Sequence, residues 1–267
     1  MNINQPIHPD ILRRLDAEYV AFHYRHLQYI FPCEKEPWSP SSRPRLSRIV
    51  LGGMKSVKVG SVQDKDVGNF QARPMLSWFH GGGWVLGGLG NENAVLRHIC
   101  NYIRCVVITI NCRHAPGHPY LAAINDVVVA KDLSTYSCRI SISGLSAGAS
   151  LAAILSIKIA HLGLTPGPVF QLLLSHVIDN TATTAGIWSS AQHAPWLTPS
   201  RTTWYWDMYL PKPSSASNCD APKTFTRTGE CDTLAPEALQ YTQYLRSAGV
   251  ETKIEIYNGL RVVNYDP

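Results

Sequence analysis

The stretch "RISISGLSAGASLAAILSIKIAHLG" (139–163) constrains the fold of this chain more than any other. It opens as a short β run, "RISIS" (139–143), and closes as a helix pattern over 147–163 that stops at Gly163. A single tight turn, Gly144-Leu145-Ser146-Ala147-Gly148, has to join the two. G-x-S-x-G between a strand and a helix predicts a nucleophile elbow, in which the serine takes a strained backbone conformation. Small neighbours at Gly144 and Gly148 then let strand and helix approach. Ser146 Oγ stands above the sheet at the positive end of the helix beginning near Ala147. The competing reading of the same residues is a Ser/Gly helix cap.

Other β-rich runs alternate with helical patterns along the chain: "PMLSWF" (74–79), "CVVITI" (105–110), "VFQLLL" (169–174), "KTFTRT" (223–228) and "TKIEIY" (252–257). A second clear helix, "APEALQYTQYLRSAG" (235–249), ends at Gly249. This alternation predicts an α/β fold with a mostly parallel central sheet flanked by helices. "MKSVKVGSV" (54–62) alternates apolar and polar residues, as an outer antiparallel strand would. A length of 267 residues suits one large α/β domain spanning 1–267. Within it, residues 181–218 form a Trp-, Pro- and Ser-rich insertion, read either as a cap over a site or as an aromatic surface piece packed on the core.

"WFHGGGWVLGG" (78–88) puts three glycines in a row after an apolar run, so the main chain itself has to come close to something. A phosphate cradle is disfavoured because no GK[ST] follows, and a dinucleotide loop because the spacing is not G-x-G-x-x-G. If Ser146 attacks an ester carbonyl, the tetrahedral oxyanion needs N–H donors. Ala147 supplies one, and Gly81 and Gly82 are the expected others, with Gly83 completing the loop. His80 is read as a hydrogen-bond partner that orients the loop rather than as a base.

Composition narrows the function further. The net charge of +5 comes from scattered Lys and Arg, which gives no nucleic-acid signature. Apolar runs fall short of the roughly 18 residues of a membrane span. Seven cysteines without a C-x-x-C pair suggest buried free thiols in a reducing compartment, and the N-terminus carries no secretory pattern, so a cytoplasmic protein is expected.

"HGGGW" (80–84), "NCRHAPGHPYLAAINDV" (111–127) and "GLSAG" (144–148) together resemble the hormone-sensitive-lipase branch of the α/β-hydrolase fold, over about residues 70 to 260. The "IHPDILRRLD" start is similar to small fungal esterases of polyketide pathways, implying secondary metabolism. The resemblance implies a serine carboxylesterase for short acyl esters, with no metal and no organic cofactor, compatible with a homodimer. It places the triad acid in "TGECDTLAPEALQY", at Asp232, with Glu230 and Glu237 as fallbacks. An N-cap of the following helix is the competing role for Asp232.

The histidine of the triad is where the chain departs from that family. All ten histidines precede Asp232, and "YNGLRVVN" (257–264) puts Val262 where the family has its base. The sequence then reaches Pro267 without the helix that closes the fold in the family. Gly117 also replaces a usual acidic residue. A serine without a base is a poor nucleophile. His176 and His193 are the substitutes to test, and two further readings stand: a small-molecule binding protein on a hydrolase scaffold, as gibberellin receptors resemble, or a truncated reading of a longer esterase.

Overall fold

Strand β1 (Met75–Phe79) sits inside a parallel sheet with β2 (Val106–Ile110) on one side and β3 (Ile140–Leu145) on the other. The computed structural model describes residues 2–39, 74–133, 139–165, 167–210 and 224–259. Across the described residues β4 (Phe170–Leu174), β5 (Thr224–Gly229) and β6 (Thr252–Tyr257) continue the sheet in the order β2-β1-β3-β4-β5-β6, every neighbour parallel. All five residues of β1 are buried, as both faces of a parallel strand should be when helices cover them. The segment 54–62, expected as an antiparallel strand, lies outside the described residues.

The order of the strands fixes where a site can form. The chain leaves β1 outward to β2 and then crosses back past β1 to β3, so the direction of winding reverses between β1 and β3. Such a reversal opens a crevice at the carboxyl ends of the two strands. The register pairs Phe79 with Gly144, which sets the loop beginning at His80 beside the turn at Ser146.

The helices named in the sequence form with nearly the expected limits. The first, Ala147–His161, is buried along most of its length, and Gly163 ends it at φ +59°. Its Leu151, Leu155 and Ile159 join Ile142 and Leu173 in the main core. The other, Ala235–Ser247, buries Ala238, Tyr241 and Leu245 against β5 and β6, and Gly249 follows at φ +79°. Among the described residues, five more α-helices frame these. In chain order the seven are α1 (Pro9–Leu12), α2 (Ala17–Phe22), α3 (Asn93–Ile103), α4 (Ala122–Leu133), α5 (Ala147–His161), α6 (Pro199–Tyr209) and α7 (Ala235–Ser247). Helix α6 lies in the aromatic insertion; Thr198 Oγ1 accepts from Arg201 N–H at 3.2 Å, and Pro199 takes the first turn, where its missing N–H is harmless.

The N-terminal segment is part of this body. Asp16 N–H donates to Gly259 O at 2.8 Å, and Arg14 meets Glu230 at 2.7 Å, which docks α1 and α2 over the ends of β5 and β6. Deeper in, the buried Arg201 of α6 pairs with Glu34 at 2.8 Å, donates to Gln5 Oε1 at 2.7 Å and lies over the Trp196 ring. Among the described residues no helix is long and apolar enough to cross a membrane.

Candidate active site

Ser146 occupies φ 53°, ψ −121°, a conformation that an L-residue adopts only when its surroundings impose it. Three backbone contacts impose it here. Ser146 N–H donates to Leu174 O at 2.8 Å, and Ser146 O accepts from Ala149 N–H at 3.0 Å and Ser150 N–H at 3.2 Å. The flanking glycines are there because no Cβ fits. A Cβ on Gly148 would lie 2.0 Å from Phe79 O, and one on Gly144 would lie 2.4 Å from the carbonyl carbon of Gly148. Strand β1, strand β3 and helix α5 therefore converge on glycine backbone, and Ser146 stands at the N-terminus of α5 as the elbow requires. Its side chain caps nothing, which disposes of the helix-cap reading.

Opposite the elbow, the loop after β1 turns through three successive positive φ values, Gly82 at 121°, Gly83 at 62° and Trp84 at 59°. A Cβ on Gly82 would lie 2.3 Å from Leu86 O. His80 Nδ1 lies 2.8 Å from Gly81 O. As donor in this bond it fixes the peptide plane whose other end is the Gly82 N–H. His114, on the loop that Arg113 and Asp126 brace with a 2.7 Å backbone-to-carboxylate bond, stacks on His80 at 5.2 Å.

Gly81 requires a correction. Its N–H, expected to serve the oxyanion, donates instead to Glu92 Oε1 at 3.1 Å, on the residue that opens α3. The other oxygen of that carboxylate accepts from Trp78 Nε1 at 3.4 Å, and desolvation pushes its pKa up to about 7. Among the described residues, the N–H groups of Gly82, Gly83 and Ala147 donate to no protein acceptor. Nothing in the sequence marked Glu92, since it belongs to no motif and reaches the loop from a separate element.

The aromatic insertion closes on this loop. A Cβ on Gly83 would fall 2.2 Å from the Tyr205 ring, Trp84 stacks on Tyr209 at 4.4 Å, and Trp206 tilts against Trp84 at 4.7 Å. Within residues 181–210 the insertion's aromatics pack on the core and against the glycine loop, and residues 211–218 of the insertion lie outside the described residues. A cavity of about 10 Å³, lined by Phe79, His80, Trp84, Cys112 and Ala147 among others, lies behind the loop. It has room for about one water molecule.

The acidic side of the site has a different character. Asp232 is buried, as a triad acid would be; its Oδ2 accepts from Ser175 Oγ at 3.0 Å and its Oδ1 from Leu234 N–H at 3.0 Å. The turn that opens α7 thus uses one carboxylate oxygen and a serine uses the other. Glu230 holds Arg14, and Glu237 accepts from Ile178 N–H, Asp179 N–H and Trp188 Nε1–H at 2.7–3.0 Å, so both fallback acids have other work. Among the described residues no histidine bonds to Ser146 or Asp232. His176 is fully buried with neither ring nitrogen hydrogen-bonded, edge-on to Tyr241, and burial drives its pKa down to about 3. It is no base for Ser146. His193 stacks on His8 instead. Position 262 lies outside the described residues.

Comparison with known proteins agrees with this architecture. Residues 76–261 match a family described as α/β hydrolase fold. An AB hydrolase superfamily protein of Schizosaccharomyces pombe is 31% identical, covering 95% of this chain and 88% of that protein. Esterase LipI of Mycobacterium tuberculosis is 29% identical over 72% of this chain, which spans 65% of that protein's length. Among solved structures, the hyperthermophilic esterase of the archaeon Pyrobaculum calidifontis has a TM-score of 0.65 at 28% identity, covering 70% of this chain and 68% of that one. An α/β hydrolase from the Lake Arreo metagenome has the same fold, with a TM-score of 0.77 at 23% identity over 92% of this chain and 90% of that one. With its parallel sheet, its glycine elbow and a match over most of its length, the chain belongs to the α/β-hydrolase fold family.

Proposed function

We propose that this protein is a serine carboxylic ester hydrolase for small acyl esters. Ser146 Oγ attacks the ester carbonyl carbon, and the oxyanion is held by the N–H groups of Gly82, Gly83 and Ala147 rather than Gly81. Collapse of the tetrahedral species expels the alcohol, which takes up the proton lost by Ser146, and water then releases the acid from the acyl-serine. Asp232 is the acid that would orient a base. The observation that carries the reading is the pairing of a serine at positive φ with a glycine loop whose N–H groups have no protein acceptor. Esterase relatives support the same chemistry. None of the five described cysteines is in a disulfide, which supports a cytoplasmic setting. A role in secondary metabolism rests on the sequence resemblance alone.

The proton of Ser146 sets the rate. With no histidine on Ser146 or Asp232, turnover should reach only the roughly 10³–10⁴-fold over water that an oxyanion hole and binding provide. The same observation favours a second reading, a small-molecule binding protein on this scaffold. Hydrolysis of p-nitrophenyl acetate by wild type and Ser146→Ala separates the two. A slow wild-type rate lost in the variant supports the esterase; equal background rates together with measurable binding of an ester ligand support the binding protein.

A further inference from the structure

We infer that His8, Asp10 and His193 form a binding site for a borderline transition-metal dication, Zn²⁺ in the first instance, that clasps the N-terminal segment to the aromatic insertion. Asp10 Oδ2 lies 3.5 Å from His8 Nδ1 and 3.7 Å from His193 Nε2, and each residue of the three offers a ligand atom within 4.8 Å of the others. A tetrahedral ion with metal–ligand bonds of about 2.0–2.1 Å places its ligands about 3.3 Å apart. Two edges of that triangle are thus within a few tenths of an ångström of what the ion needs. The third closes by rotating imidazoles that are a third or more exposed.

The donor set selects the ion. Two imidazole nitrogens and one carboxylate oxygen suit Zn²⁺, Co²⁺ or Ni²⁺ and not the all-oxygen shells of Ca²⁺ or Mg²⁺. The imidazole rings are stacked 3.7 Å apart and 3° from parallel, and His8 Nδ1 accepts from Asp10 N–H at 3.3 Å, so metal binding turns the rings out of the stack to aim their in-plane lone pairs at one ion and releases that helix cap. Three protein ligands leave the fourth position to water. The site shares no residue with the serine elbow and does not depend on the esterase reading.

Its consequence is mechanical. Ile11 and Leu15 pack with Cys231, next to Asp232, while His193 adjoins the buried Ala194. A metal bridging residues 8 and 193 ties two pieces that are far apart in sequence. The test is calorimetric titration of the full chain with Zn²⁺, repeated with Co²⁺ to read the visible absorption band of a tetrahedral site. Wild type should bind one equivalent and gain thermal stability; His193→Ala and Asp10→Asn, at a half-buried and an exposed side chain, should bind at least tenfold more weakly and gain none. Circular dichroism of the metal-free variants checks that they fold. Equal affinity in wild type and in both variants places any bound metal on the cysteines or other histidines and overturns the assignment, as does absence of binding by wild type.

Discussion

The elbow and glycine loop are built from backbone, whereas the acidic side of the same site depends on single side chains. On the first side, Gly144, Gly148, Gly82 and Gly83 are each held by contacts that exclude a Cβ, so the path of the main chain admits only glycine, and side chains enter chiefly through His80 and Glu92, which orient the loop peptides. On the second, Asp232 is in place, but its oxygens are taken by Ser175 and Leu234, and no described histidine reaches it. A preorganised backbone site is dismantled only by distorting strand and helix packing. A charge relay is lost when one residue type is absent from one position. On the proposed esterase reading, the molecule retains the part of acyl-transfer chemistry that is usually the largest electrostatic contribution, and lacks the proton acceptor among its described residues.

Breaking the backbone side should have the largest effect. Gly148→Ala drives a Cβ to 2.0 Å from Phe79 O, and neither strand nor helix can move without disturbing the core. The expected loss is at least about 3 kcal/mol, read as a lower urea midpoint at unchanged slope, or as insoluble expression. Gly88→Ala is the matched control. Nothing lies within 4 Å of its added carbon and its φ is not positive, so stability should stay within about 0.5 kcal/mol of wild type.

Next comes a pH effect from two buried carboxylates, one on each side of the comparison. Burial pushes both Glu92 and Glu237 up to about 7 from 4.5. Between those values the unfolded chain has lost the proton that the folded chain keeps, so stability falls as pH rises from about 4.5 through 7, and the penalty is complete above 7. Each group contributes at most on the order of 3 kcal/mol. Melting temperatures at pH 5.5 and 7.5 should therefore differ in wild type, differ less in Glu237→Gln, and differ least in the Glu92→Gln/Glu237→Gln double variant. An unchanged difference in the double variant would assign the slope to other groups.

The same asymmetry explains what the sequence made legible. Gly144, Gly148 and the glycine triplet could be read because close backbone approach admits one residue type, and a strand before and a helix after complete the pattern. Which of the three loop N–H groups is taken by another acceptor could not be read. Peptide orientation is set by Glu92 and His80, and a lone carboxylate at the head of α3 belongs to no motif. The β runs and the helices α5 and α7 were visible, the latter two from a pattern closed by Gly163 and Gly249; α3, α4 and α6, which no such glycine closes, were not. Pairings such as Glu34 with Arg201 or His8 with His193 join residues well over a hundred positions apart, and no local pattern announces them.

The last prediction concerns one of the two side chains that orient the glycine loop. Glu92 anchors Gly81 N–H, and that bond helps set the direction of the peptide that follows it. Glu92→Ala leaves this N–H without its acceptor and should lower the Ser146-dependent rate about tenfold, the equivalent of about 1.4 kcal/mol in transition-state stabilisation. Glu92→Gln keeps an oxygen for Gly81 but turns its amide nitrogen towards Trp78 Nε1–H, donor against donor, so most of the rate should remain. The two variants also differ in pH response. As Glu92 ionises through pH 7 its bond to Gly81 becomes charge-assisted and stronger, so in wild type the amides of residues 81–87 should gain protection from hydrogen exchange between pH 6 and 8, after correction for intrinsic rates. Glu92→Gln should show no such gain. If the gain persists in that variant, another group governs the loop and the anchoring role passes from Glu92.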